Sequence, residues 1–102
     1  MASTSTNRAI TTTSVVVATD RQVSSDLAGE AIILSLQTGM YYGLNPVGAR
    51  IWALLGTPTR VVDIRDTIVQ RYDVALDRCE GDLLDLLREL AARGLIEVRD
   101  TT

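Results

Sequence analysis

Residues 30–46 read EAIILSLQTGMYYGLNP, and this stretch decides the fold. From Glu30 to Gln37, Ile32, Leu34 and Leu36 alternate with Ala31, Ile33 and Ser35, giving the two-residue period of a strand with one wholly apolar face and one mixed face. Thr38–Gly39 supplies a tight turn, since Gly39 adopts positive φ without steric cost. Met40–Leu44 returns as the next strand, with Met40, Tyr42 and Leu44 on one face and Tyr41 and Gly43 on the other. Strands joined this closely predict an antiparallel hairpin. Asn45–Pro46 predicts a helix start, because Asn accepts from an unpaired backbone N–H and Pro at the first helical position forfeits no needed donor.

Downstream, Val47, Ile51, Leu54 and Leu55 form a helical stripe with Trp52 at its border, ended by Gly56 and Pro58. Thr59 is placed to cap a second helix carrying Val61, Ile64, Ile68 and Tyr72 on one face. Asp77 and Glu80 have capping-box spacing for a third helix, which runs through Leu83, Leu86, Leu87 and Leu90 to a stop at Gly94. Leu95–Val98 follows as a short extended segment. Upstream, Val15–Thr19 is a β-branched strand and residues 20–29 read as a connection. Residues 1–14, rich in Ser and Thr, read as a flexible tail, and residues 100–102 as a second one. One domain over residues 15–99 is expected, with the three strands side by side in chain order, because sequential strands usually pair.

Composition narrows the chemistry. The chain has 102 residues and no His, and all 10 of its Lys-plus-Arg positions are Arg, set against 13 Asp and Glu. Imidazole general bases, Schiff-base lysines and His-dependent metal sites are therefore excluded. The single cysteine, Cys79, forms no internal disulfide and no Cys-rich zinc site, which fits a reducing cytoplasmic setting. No cofactor and no catalytic residue is expected; binding is the better starting expectation than catalysis. No apolar run reaches the roughly 18–20 residues of a membrane span, and no signal peptide is visible, so no membrane partner is expected.

The segment MYYGL lacks the Lys, Pro or bulge that normally blunts an edge strand. Such an edge can receive an extended peptide as an added strand. The alternative is that a helix or Leu95–Val98 covers it. On the third helix, Leu83, Leu86, Leu87 and Leu90 fall in one arc, with Leu84 and Ala91 at its margin. Either this is a broad core stripe, or Leu84, Leu87 and Ala91 wall a groove floored by Met40–Leu44 with Arg88 on the rim. The candidate peptide-binding residues are thus Met40, Tyr41, Tyr42, Gly43, Leu44, Leu84, Leu87, Arg88 and Ala91. Cys79 lies near the helix N-terminus, where the dipole can lower a thiol pKa, but without a nearby base a small half-buried side chain is the plainer reading. Asp77, Glu80, Asp82, Asp85 and Glu89 lack calcium-loop spacing and read as a solvated face, not a metal site.

Taken together, Gly29–Ala31, the apolar strand, Gln37–Gly39, Tyr41–Pro46 and Gly48–Trp52 resemble the PqqD family, most specifically from Thr38 to Trp52. The resemblance implies an α+β, winged-helix-like fold, a three-stranded antiparallel sheet packed on three helices. It implies a domain that binds the leader segment of a ribosomally made precursor peptide beside Met40–Leu44 and against the helix from Cys79 to Arg93. A short free-standing chain looks most like the leader-binding component of lasso-peptide pathways, whose partners are a separate leader peptidase and then a cyclase. The alternative branch, pyrroloquinoline quinone synthesis, employs a radical enzyme. The same edge can also pair with its own copy, giving an edge-strand homodimer.

Two other classes fit the sequence less well. A winged-helix nucleic-acid binder needs cations along its recognition helix, yet residues 77–93 carry Asp77, Glu80, Asp82, Asp85 and Glu89 against Arg78, Arg88 and Arg93; no nucleic-acid partner is expected. A carrier needs a modifiable Ser or Lys in a recognisable loop, and neither stands out.

Overall fold

The computed structural model describes residues 10–99. Six strands and three helices follow one another: β1 (Val15–Ala18), β2 (Gln22–Leu27), β3 (Glu30–Ser35), β4 (Tyr41–Leu44), α1 (Pro46–Leu54), β5 (Thr59–Arg60), α2 (Val61–Arg71), α3 (Leu76–Ala92) and β6 (Ile96–Val98). They form an α+β fold with two three-stranded antiparallel sheets, ordered β5-β1-β6 and β2-β3-β4.

The expected chain-order sheet is corrected in its membership. The segment 20–29, read as a connection, holds β2, which takes the place beside β3 that β1 was expected to occupy. QVSSDL is mostly polar because β2 is an edge strand exposed over nearly its whole length, so burial imposed no apolar alternation on it. Ala28 and Gly29, with φ of 54° and 85°, link β2 to β3 in the double positive-φ manner of a tight hairpin turn. β1 instead pairs with β5 and with the C-terminal β6, Ala18 opposite Ile96.

The hairpin of β3 and β4 forms as the sequence predicts, closed by Gly39 at φ 75°. Its buried face is the mixed one, Ala31, Ile33 and Ser35, while Ile32 and Leu36 are exposed. Asn45 caps α1 as expected, its Oδ1 accepting from Gly48 N–H at 2.8 Å. α1 packs on the β2-β3-β4 sheet, and Trp52 Nε1 donates to Ser24 Oγ at 3.0 Å. Gly94, at φ 75°, ends the turn after α3, its N–H donating to Ala91 O.

Two caps differ from expectation. Thr59 lies in β5 and donates to Leu54 O at 2.8 Å instead of capping α2. α3 begins without a side-chain cap, and Glu80 accepts from Arg65 of α2 at 2.8 Å, a link between two helices. The tail boundary moves as well. Ile10 is fully buried, Arg88 donates to its carbonyl at 3.1 Å, and Val61 and Val62 donate to Ser14 O and Thr12 O. The N-terminal segment from Ile10 therefore straps the start of α2 and the flank of α3. The remaining tail residues, 1–9 and 100–102, lie outside the described residues.

Candidate functional site

Where β4 places its backbone groups follows from one bond: Ser35 N–H donates to Met40 O at 2.9 Å. Antiparallel pairs alternate between hydrogen-bonded and non-bonded, so Ile33/Tyr42 and Ala31/Leu44 also face each other across the ladder. Tyr41 and Gly43, opposite Leu34 and Ile32, then point their N–H and C=O away from β3. β4 is the last strand of its sheet, and among the described residues no strand pairs on that side. The Leu95–Val98 segment does not cover it, since β6 belongs to the other sheet.

On the inner face, this edge adjoins a cavity of about 490 Å³. Tyr42, Gly43 and Leu44 of β4 form one wall. The N-terminal half of α1, through Asn45, Val47, Gly48 and Ile51, forms the base at one end, and Ile68 and Val74 close it from α2 and the following loop. The opposite wall is α3, through Arg78, Cys79, Asp82, Leu83 and Leu86. Gly48 lets α1 approach β4 closely, since a Cβ there would press on the Leu44 side chain at 3.2 Å.

The structure brings Tyr42, Gly43 and Leu44 together at this groove, with Tyr41 exposed on the outer face and Met40 exposed beyond the strand's start. It does not bring Leu84, Leu87, Arg88 or Ala91 there. Leu87 is fully buried in the core and Ala91 is buried with it. Leu84 packs half-buried against that core, and Arg88 binds the Ile10 carbonyl. Two residues along a helix are about 200° apart, so Leu84 and Leu86 flank the core stripe on opposite sides, and the groove takes the Leu86 flank. Sequence reasoning chose the other flank and so missed Arg78, Cys79, Asp82, Leu83 and Leu86 as groove residues. The 3–4 spacing of Cys79, Leu83 and Leu86 carried the signal, but only the position of β4 says which flank is the wall.

Electrostatics follow the packing. Burial pushes the Cys79 thiol up, and Asp82 beside it adds to the effect, which keeps the group a neutral thiol and fits a packing role for it. Burial also raises the Tyr42 phenol, with the Glu89 carboxylate reinforcing it and Arg93 working against it. Glu89 is held below its ordinary range first by the hydrogen bond from Arg93 and then by the nearby Tyr42 phenol. Among the described residues no group of three or more His, Cys, Asp and Glu converges as a metal site, and no helix is long and apolar enough to cross a membrane.

An antiparallel sheet whose β4 edge adjoins an apolar groove walled by a helix defines the site of a small α+β domain. The chain belongs to the PqqD family: the model for coenzyme PQQ synthesis protein D matches residues 30–96. A solved structure described as TbiB1 in complex with the TbiA(β) leader peptide is similar to this chain, with 41% identity, a TM-score of 0.76, and coverage of 83% of this chain and 99% of that one. Among curated proteins, none matches.

Proposed function

We propose that this chain binds the leader segment of a ribosomally made precursor peptide by strand addition beside Tyr41–Leu44. It then presents the precursor to a separate processing enzyme, a leader peptidase followed by a cyclase as in lasso-peptide biosynthesis. The observation that carries this reading is the coincidence of unpaired backbone groups at Tyr41 and Gly43 with an apolar groove under the same strand. The likeness to TbiB1, solved with a leader peptide, supports it.

The energetics suit a transient carrier. Each backbone bond to the guest nets about 0.5–1.5 kcal/mol. An apolar anchor buried against Leu83 and Leu86 adds about 1.5–3 kcal/mol, and ordering the guest costs about 2–5 kcal/mol. With the four backbone groups of Tyr41 and Gly43 and one such anchor, the most favourable balance corresponds to a Kd of about 10 μM. Such a domain acts by raising the effective concentration of precursor near the enzyme, performs no chemistry itself, and works in the cytoplasm where precursors are translated. Without a guest, the same edge is open to a second copy. In the quinone branch that the family description names, a radical enzyme would take the peptidase's place.

Titration of isotope-labelled protein with the cognate leader tests the reading. Amide shifts are expected at Tyr41–Leu44 and along Cys79–Leu86. Shifts confined to other elements, or none, would overturn it.

A further inference from the structure

The two walls of the groove, β4 and α3, are joined at one end by a polar bridge. The Arg93 guanidinium lies 5.1 Å from the centre of the Tyr42 ring. Arg93 also donates to Glu89 at 3.1 Å, one helical turn away. The Glu89 carboxylate lies near enough to the Tyr42 phenol to help raise its pKa, after the effect of burial. Among the described residues, no side-chain hydrogen bond or ion pair connects β4 to the α3 wall, so this cation–π contact is the polar link between them. Tyr42 lines the cavity whereas Glu89 and Arg93 do not, so the pair backs the ring without filling the groove.

We propose that Glu89 and Arg93 hold the Tyr42 ring as a fixed stop, and that this stop selects the guest side chain admitted beside it. The proposal deepens the strand-addition reading and rests on it. Tyr42 directs its own backbone bonds to β3, so an antiparallel guest residue opposite it forms a non-hydrogen-bonded pair, the closer kind, with Cα atoms about 4.5 Å apart. An unrestrained tyrosine on an edge strand would change rotamer to make room. Here the ring has the Arg93 cation 5.1 Å from its centre, and Glu89 anchors that cation, so swinging aside breaks the cation–π contact. The position beside Tyr42 therefore takes a small side chain. Two residues along, the position beside Leu44 opens on the cavity between Val47, Cys79, Leu83 and Leu86, and takes a large aliphatic one. Glu89 and Arg93 are positioning residues that set this spacing.

The test uses short peptides selected from a random display library on the wild-type protein, with Ala or Phe placed opposite Tyr42. Wild type is expected to prefer Ala by at least about tenfold in Kd, the scale of pocket discrimination by size. The preference should collapse in Arg93→Ala and return in Arg93→Lys, which keeps a cation over the ring. Arg93 and Glu89 side chains are about half exposed, at 51% and 48%, so the variants retain the fold, and thermal melting verifies this. In the free protein, absorbance titration of tyrosine should show the Tyr42 phenol ionising at higher pH in Arg93→Ala, because a neighbouring cation is lost. An equal preference in wild type and Arg93→Ala would overturn the proposal. Selected peptides that bind without protecting the Tyr41 and Gly43 amides would instead overturn strand addition itself, and the stop with it.

Discussion

The N–H of Ser35 and the carbonyl of Met40, 2.9 Å apart, set the parity of the whole outer strand. Shifting that pairing by one residue would turn Tyr41 and Gly43 toward β3 and send Tyr42 and Leu44 out of the groove. Backbone reach and side-chain reach are thus divided between alternate residues of β4.

Proline substitution reads that division directly. Tyr41→Pro or Gly43→Pro removes a donor aimed at the guest, which an edge strand tolerates. Leader affinity should fall about 2–12-fold for each, the equivalent of one backbone bond, with little change in melting temperature. Tyr42→Pro removes a donor to β3 and should lower the melting temperature itself. Calorimetric titration alongside thermal melts separates the two outcomes.

The groove wall is tested by a pair of substitutions on opposite flanks of α3. Leu86→Asp should weaken leader binding about tenfold or more, since an apolar anchor loses its partner surface. Leu84→Asp should destabilise the fold modestly and leave the affinity of the folded protein unchanged. Fluorescence anisotropy with a labelled leader distinguishes them, and a reversed order would put the wall on the other flank.

Arg88 belongs to stability. Ile10→Ala, at a fully buried position, should cost about 2–5 kcal/mol. Arg88→Ala, which leaves the Ile10 carbonyl without its donor, should cost about 1–3 kcal/mol. Urea unfolding measures both, and leader affinity should stay constant in each.

Acid should loosen the bridge across the groove. Glu89 is held below the ordinary carboxylate range by Arg93 and Tyr42 in the folded protein. Its contribution to stability is therefore fully present above the unfolded value of about 4.3, and is lost as pH falls through the lower folded value. Glu89→Gln should flatten this part of the stability–pH curve, and carbon-detected NMR titration of the Glu89 carboxyl should place its midpoint below that of an exposed Glu.

Much of the hairpin and helix framework was legible because local chemistry determines it. The alternation in residues 30–37, the Thr38–Gly39 turn, the Asn45–Pro46 start and the Gly94 stop each act within a few residues. β2 was hidden because an exposed edge strand needs no apolar pattern, and Ile10 because one buried side chain in a Ser/Thr-rich segment makes no period. The assignment of β1 to the second sheet depends on partners more than forty residues away. The groove flank of α3 was not legible either: a wide apolar arc has two margins, and only the tertiary position of Tyr42 and Leu44 distinguishes the one with Leu86 from the one with Leu84.

Hydrogen exchange at four consecutive amides tests strand addition most directly. With saturating leader, Tyr41 and Gly43 should pass from fast to slow exchange, while Tyr42 and Leu44, already bonded to β3, should be slow with and without it. If the leader binds and the Tyr41 and Gly43 amides go on exchanging as in the free protein, the guest does not extend the sheet.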